Sequence, residues 1–205
     1  MTGAVTWGLV VSSLAVIVVR RRSLAIALVA AQSLGLGLYA IAQGSRTSTA
    51  LAVAGTVLIA KALVLPALLL FTVRRARKER LIATEIPALG RLAISVAAAL
   101  AVEQSIPRFG LAGAGVEHAA VGVLALGILT AVVRRAVLFQ ALGFLIAENG
   151  IYLTGLSLPG GLPVFIELGL VFDLVVIVSV AAAFAAKIHE QLGSGDSSLL
   201  EALRD

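Results

Sequence analysis

Apolar residues run along this chain in long unbroken stretches, at roughly 3–20, 23–43, 48–73, 88–105, 116–133, 136–157 and 162–187. Each is close to the ~20 residues a helix needs to cross a hydrocarbon core. Strands of a membrane barrel would alternate apolar and polar positions, and these stretches do not alternate. The pattern predicts an all-α, polytopic membrane helix bundle with seven transmembrane helices. No long polar segment interrupts it, so residues 1–205 read as a single integral membrane domain.

The polar punctuation gives an orientation. "RRRS" (20–23) follows the first stretch, "RRARKER" (74–80) the third, "RR" (134–135) the fifth, and Lys187 ends the seventh. With seven spans all four fall on one side, and the opposite loops hold only Arg46 and Arg108. The positive-inside bias then places the N-terminus outside and the C-terminus in the cytoplasm, with Trp7 near the outer interface. Because the first basic cluster follows the apolar stretch and does not precede it, "MTGAVTWGLVV" reads as a retained helix and not as a cleaved leader. Pro87 suits the first turn of the fourth helix, where its missing N–H is no loss. Pro107 with Gly110, Gly113 and Gly115 marks one outer loop and "SLPGGLP" (157–163) another. The fourth stretch is rich in small residues, which permit close helix packing in lipid.

Composition strengthens the membrane assignment. Hydrophobic residues make up 60% of the chain and charged ones only 13%, against roughly 25% charged in soluble domains. Too few charges exist to cover a water-facing surface. The net charge of +5 does not signal nucleic acid, because the basic residues cluster at the ends of apolar runs, where they anchor helices. There is no cysteine, which excludes disulfides, thiolate metal sites, iron–sulfur ligation and a cysteine nucleophile. His118 and His189 lie near predicted helix ends, which argues against haem or metal ligation.

Four ionisable residues remain inside apolar runs: Lys61, Glu148, Glu167 and Asp173. Each costs on the order of 2.5–3.5 kcal/mol at the centre of an inserting helix, so each needs a partner, water or a neutral form. Lys61 precedes Pro66, whose missing N–H frees a carbonyl and favours a kink. A structural interhelical ion pair with one of the acids is the plain alternative to a functional lysine. Glu148 and Tyr152, four apart, share a helix face, and Asn149 stands beside them. Asp173 falls near mid-membrane, whereas Glu167 lies nearer the outer end and reads equally well as an interfacial carboxylate. Proton relays in pumps are built from buried carboxylates of this kind.

At "RRAVLFQALGFLIAENGIYL" and "VFIELGLVFDLVVIV" the chain resembles the hydrogenase-4 component E (HyfE) family of formate-hydrogenlyase-type membrane complexes. The resemblance extends to "AAQSLGL" (30–36) and "AKALVLPALLL" (60–70) and is weakest in the fourth helix. It divides the chain into an N-terminal four-helix part, 1–110, and a three-helix part with a short cytoplasmic tail, 111–205. The second part is similar to the K-type subunit of respiratory complex I (NuoK) and to the C subunit of Mrp-type antiporters. The resemblance implies a non-catalytic subunit of a complex I-like oxidoreductase in a prokaryotic plasma (inner) membrane. Larger antiporter-like membrane subunits would be its neighbours, and peripheral redox subunits would hold iron–sulfur clusters and a nickel–iron centre. It also implies that membrane acids contribute to proton or sodium-ion translocation. The first glutamate of the complex I pattern falls about three residues earlier, where this chain has Leu145, so Glu148 is displaced by nearly one turn. For the second acid, Glu167 sits in the more similar local string and Asp173 has the better distance to the basic helix end; Asp173 is favoured. The alternatives are an Mrp-type cation/proton antiporter subunit, a structural membrane anchor and a free-standing small-molecule carrier. A retinal protein is rejected, because it needs a mid-membrane lysine in the last helix, where Asp173 stands.

Overall fold

The computed structural model describes residues 2–43, 59–64, 66–67, 69–70, 87–105 and 114–157, together with 175–176, 179 and 183. Regular structure among them is helical throughout. The elements are α1 (Thr2–Val18), α2 (Arg22–Gln43), a π-helical turn (Ala60–Val64), α3 (Ala88–Ser105), α4 (Ala114–Val133) and α5 (Val137–Leu156). Each of the five α-helices falls within two residues of a stretch predicted from hydropathy, because chain with no water to solvate its amides must bond them within the helix. Among the described residues four helices are long and apolar enough to cross a membrane: Arg22–Ala42, Ala88–Ser105, Val116–Val133 and Val137–Leu156. Gly3–Val18 is a shorter apolar helix. The third and seventh predicted spans lie mostly outside the described residues, as do Glu167 and Asp173.

α4 and α5 form an antiparallel hairpin across Arg134 to Ala136, and theirs is the most extensive contact in the bundle. Its closeness follows from glycine. A Cβ at Gly127 would lie 2.3 Å from the amide nitrogen of Ala147, and one at Gly143 would lie 2.6 Å from that of Ala131. Both obstacles are backbone and cannot swing aside. α1 packs on α4 and α2, α2 on α5 and on the π-helical turn, and α3 on α4 and α1. The core lies among α1, α2, α4 and α5, where Val16, Ile26, Val29, Leu36, Val123, Leu142, Leu145, Ile146 and Leu153 are buried. Outward positions such as Trp7, Leu38, Leu89, Val132 and Phe144 are large, apolar and exposed, as a lipid-facing surface requires.

One end of the bundle is basic. α1 stops at Val18, and the carbonyls of its last turn have no helical partner. Arg134, at the α4–α5 junction, reaches across and donates to Ile17 O at 3.3 Å and Val19 O at 3.1 Å. Its guanidinium also lies 3.5 Å from the Phe139 ring centroid. The "RRRS" and "RR" clusters therefore share one end of the molecule. Burial first, then the charges of Arg91 and Arg22, bring the Arg134 pKa down to about 10. The group still carries its charge at neutral pH.

The packing yields a stability test. Gly143→Val should force α4 and α5 apart and cost roughly 1–3 kcal/mol, seen as a lower melting temperature in detergent and a smaller folded yield. Gly8→Ala, where an added Cβ meets nothing within 4 Å, should melt like the parent. Equal melting of the two variants would contradict the close contact.

Candidate functional site

Successive residues of an α-helix are turned by about 100°, and the opening of α5 to its neighbours follows from that step. Gly143, Ala147 and Gly150 face α4. Glu148 and Tyr152, one turn apart, face away from α4 and meet Lys61. Asn149 turns toward α2. All three polar side chains of this turn are buried.

Lys61 Nζ lies 3.0 Å from Glu148 Oε1 and 5.1 Å from the centroid of the Tyr152 ring. The separation defines an ion pair, although its angles are not those of a linear hydrogen bond. Both partners are closed to solvent, so the attraction is little screened. Lys61 is presented by the π-helical turn that precedes Pro66. Such turns bond i to i+5, which widens the helix locally, and they recur at functional sites. The expected disturbance before Pro66 is therefore present, in the form of a widened turn.

Asn149 belongs to a second, separate network. Its Nδ2 donates to Gln32 Oε1 at 3.2 Å and to Ser33 Oγ at 3.1 Å. Gln32 Nε2 in turn donates to Ser13 Oγ at 2.8 Å and to Leu9 O at 2.9 Å, and Ser13 Oγ donates to Leu9 O at 2.7 Å. A seam of buried amides and hydroxyls thus ties α5 to α2 and α2 to α1. Three buried acceptors beside these networks have no hydrogen-bond partner among the described residues: both carboxylate oxygens of Glu148, of which Oε1 meets Lys61 as an ion pair, and Asn149 Oδ1.

The structure brings Lys61, Glu148 and Tyr152 together as one cluster and places Asn149 in the seam, not on the carboxylate. Glu167 and Asp173 are outside the described residues, so no distance relates them to the pair. Gln32, Ser33 and Ser13 were missed as functional candidates in the sequence. The signal was available: "QS" is a polar pair inside an apolar run, and in lipid such a pair needs a partner on another helix. Arg91 was missed too, although it is an arginine in the first turn of a predicted span. At the other end of the bundle, His118 Nε2 lies 3.7 Å from Glu103 Oε1 on α3. Among the described residues no group of three potential metal ligands is found.

Comparison with known proteins gives little beyond this geometry. The chain is similar to an uncharacterized protein of Mycobacterium tuberculosis (strain ATCC 25618 / H37Rv), Rv0085, with 32% identity over 87 residues. That stretch covers 42% of this chain and 40% of the relative, so the chain spans well under two thirds of that protein's length. No family model matches. No solved structure matches.

The ion pair predicts a non-additive mutant cycle. Glu148→Leu leaves an ammonium without its carboxylate in an apolar interior and should destabilise strongly, by roughly 3–5 kcal/mol. Adding Lys61→Leu should restore part of that loss, since neither charge of the pair then remains. Thermal unfolding of the parent, both single variants and the double variant in one detergent measures the coupling. Simple additivity would mean that the two charges do not depend on each other.

Proposed function

We propose that this chain is the integral membrane subunit of a complex I-like, group 4 hydrogenase or formate-hydrogenlyase-type complex, and that Lys61 and Glu148 handle protons or sodium ions within it. The observation that carries the reading is the buried pair itself: an ammonium and a carboxylate 3.0 Å apart between apolar helices. Neither carboxylate oxygen of Glu148 has a hydrogen-bond partner among the described residues, and Oε1 is the one that meets Lys61. The resemblance of "AKALVLPALLL" and "ENGIYL" to the hydrogenase-4 component E family supports it, because both members of the pair lie within those strings.

The chemistry follows from the cost of isolated charge. Together the two ions neutralise each other. Drawn apart, each is an unbalanced charge in a medium that solvates it poorly, and a single proton exchanged with water removes that charge. A partner subunit that shifts the π-helical turn relative to α5 would thereby drive uptake and release. Antiporter-like membrane subunits are the neighbours that could supply this shift, and peripheral subunits would hold the iron–sulfur clusters and the nickel–iron centre. Asp173 or Glu167 would be the next acid along the path. The full bundle has seven spans in this reading, with the N-terminus outside and the C-terminus in the cytoplasm.

A purely structural anchor is the competing reading, and one observation favours it: Tyr152 lies against the Lys61 ammonium, a contact that steadies a fixed pair. The two are separable in proteoliposomes holding the whole complex. Glu148→Gln should keep redox turnover with an artificial acceptor while losing most ion translocation, and Glu148→Asp should be milder. Translocation by Glu148→Gln at the parental rate would leave only the anchor. If the complex purifies without any redox subunit yet exchanges cations for protons, the Mrp-type antiporter reading replaces the hydrogenase one.

Topology has its own test, helped by the absence of native cysteine. Single cysteines at Arg77 and Gly110 should react with an impermeant maleimide from opposite sides of the membrane, Gly110 from outside. Labelling of both from one side refutes the seven-span arrangement.

A further inference from the structure

α3 is built the wrong way round for a helix packed on a protein core. Its buried residues are Arg91 and Ser95, whereas Leu89, Ile94, Val96 and Leu100 are exposed. The exposed apolar side suits lipid. The inward side is the one that needs explaining. Arg91 is 1% exposed, and its Nε and both terminal nitrogens have no hydrogen-bond partner among the described residues. Ser95 Oγ, one turn further along the same face, is buried and equally without a partner. Buried polar groups in native proteins are nearly always satisfied, and a guanidinium left bare is among the costliest exceptions.

The surroundings make the need sharper. Arg91 occupies the first turn of α3, where the helix dipole already presents positive charge and free N–H groups. No acidic residue occupies that turn. The other charges that act on Arg91 and Arg134 are cations as well: Arg20 on Arg91, and Arg22 with Arg91 on Arg134. The ends of α1 and α4 and the starts of α2, α3 and α5 thus gather positive charge at one level of the bundle.

We propose that Arg91 and Ser95, with Arg134 beside them, form a binding site for a phosphate oxyanion, and that its source is the headgroup of an anionic phospholipid. A guanidinium offers a planar fork of donors that matches phosphate oxygens. Basic pockets between membrane helices at a charged interface are where anionic headgroups bind. The exposed side of α3 is apolar and suits acyl chains, which favours a lipid as the source over a free anion. Ser95 lies about one turn, ~6 Å, along the same face from Arg91, so its hydroxyl and the guanidinium are spaced to meet one headgroup.

The experiment is native mass spectrometry and thermal unfolding of the purified complex, delipidated and then supplied with a phosphatidylglycerol or a phosphatidylcholine of identical acyl chains. The parent should bind phosphatidylglycerol on the order of tenfold more tightly and melt at a higher temperature with it. Arg91→Met should bring the two lipids to within about twofold. Arg91→Lys should fall between, because it keeps the charge and loses the fork. Inorganic phosphate that protects the parent equally well, with Arg91→Met insensitive to it, would keep the oxyanion site but assign it to a free anion. Absence of any headgroup preference or phosphate effect in the parent overturns the proposal without recourse to a variant. So does an Arg91→Met complex that keeps its lipid preference but loses another subunit, since Arg91 would then pair with a protein carboxylate.

Discussion

α4 and α5 touch backbone to backbone where Gly127 meets Ala147 and where Gly143 meets Ala131. Helices held that closely cannot turn about their axes without a clash between main chains. The rotation of α5 is therefore fixed by a face that carries no functional group at all. Given that rotation, the ~100° step of the helix sends Glu148 and Tyr152 toward Lys61 and Asn149 toward α2. Two glycine contacts on one face thus set the direction of a carboxylate and an amide on the others.

The same lipid surroundings that force helices also force their polar side chains to find company, and the bundle does so in different ways. Arg134 takes the unsatisfied carbonyls at the end of α1. Asn149, Gln32, Ser33 and Ser13 satisfy one another across three helices. Lys61 and Glu148 neutralise each other. Arg91 alone among the described arginines is both fully buried and without a hydrogen-bond partner among the described residues. That contrast distinguishes a charge balanced within the chain from one whose balance must come from something bound to it.

Hydropathy made the five described α-helices legible because the requirement for internal hydrogen bonds acts on every residue of a span. The predicted pairing of Lys61 with an acid was legible in kind, since an isolated ammonium in lipid is untenable, but not in choice. Three acids were available, and it is the meeting of the π-helical turn with α5 that puts Glu148 beside Lys61. The partner of Asn149 was not legible for a related reason. Adjacency in sequence sets it beside Glu148, whereas adjacency on a helix points neighbours apart, and its Nδ2 donates to α2. Arg91 was overlooked because a lone arginine near a span end usually reaches for the interface; its burial depends on packing by α1 and α4, which hydropathy does not encode. Glu167 and Asp173 fall outside the described residues, so the second acid rests on sequence alone.

The two polar networks differ in what they are able to do. Amides and hydroxyls keep their charge state, so the Asn149–Gln32–Ser13 seam works as a clamp, anchored finally on the carbonyl of Leu9 in α1. The Lys61–Glu148 pair contains two groups that change charge by gaining or losing one proton. Glu148 sits on the helix that the glycine contact and the clamp both immobilise. Lys61 sits on a π-helical turn, a local departure from α-helical hydrogen bonding of the kind that recurs at functional sites, and it belongs to neither the glycine contact nor the clamp. In the proposed function the moving partner is therefore Lys61, and the carboxylate is the fixed point against which it is displaced. A coupling signal from a neighbouring subunit would act on the segment around Pro66 and leave the α4–α5 hairpin still.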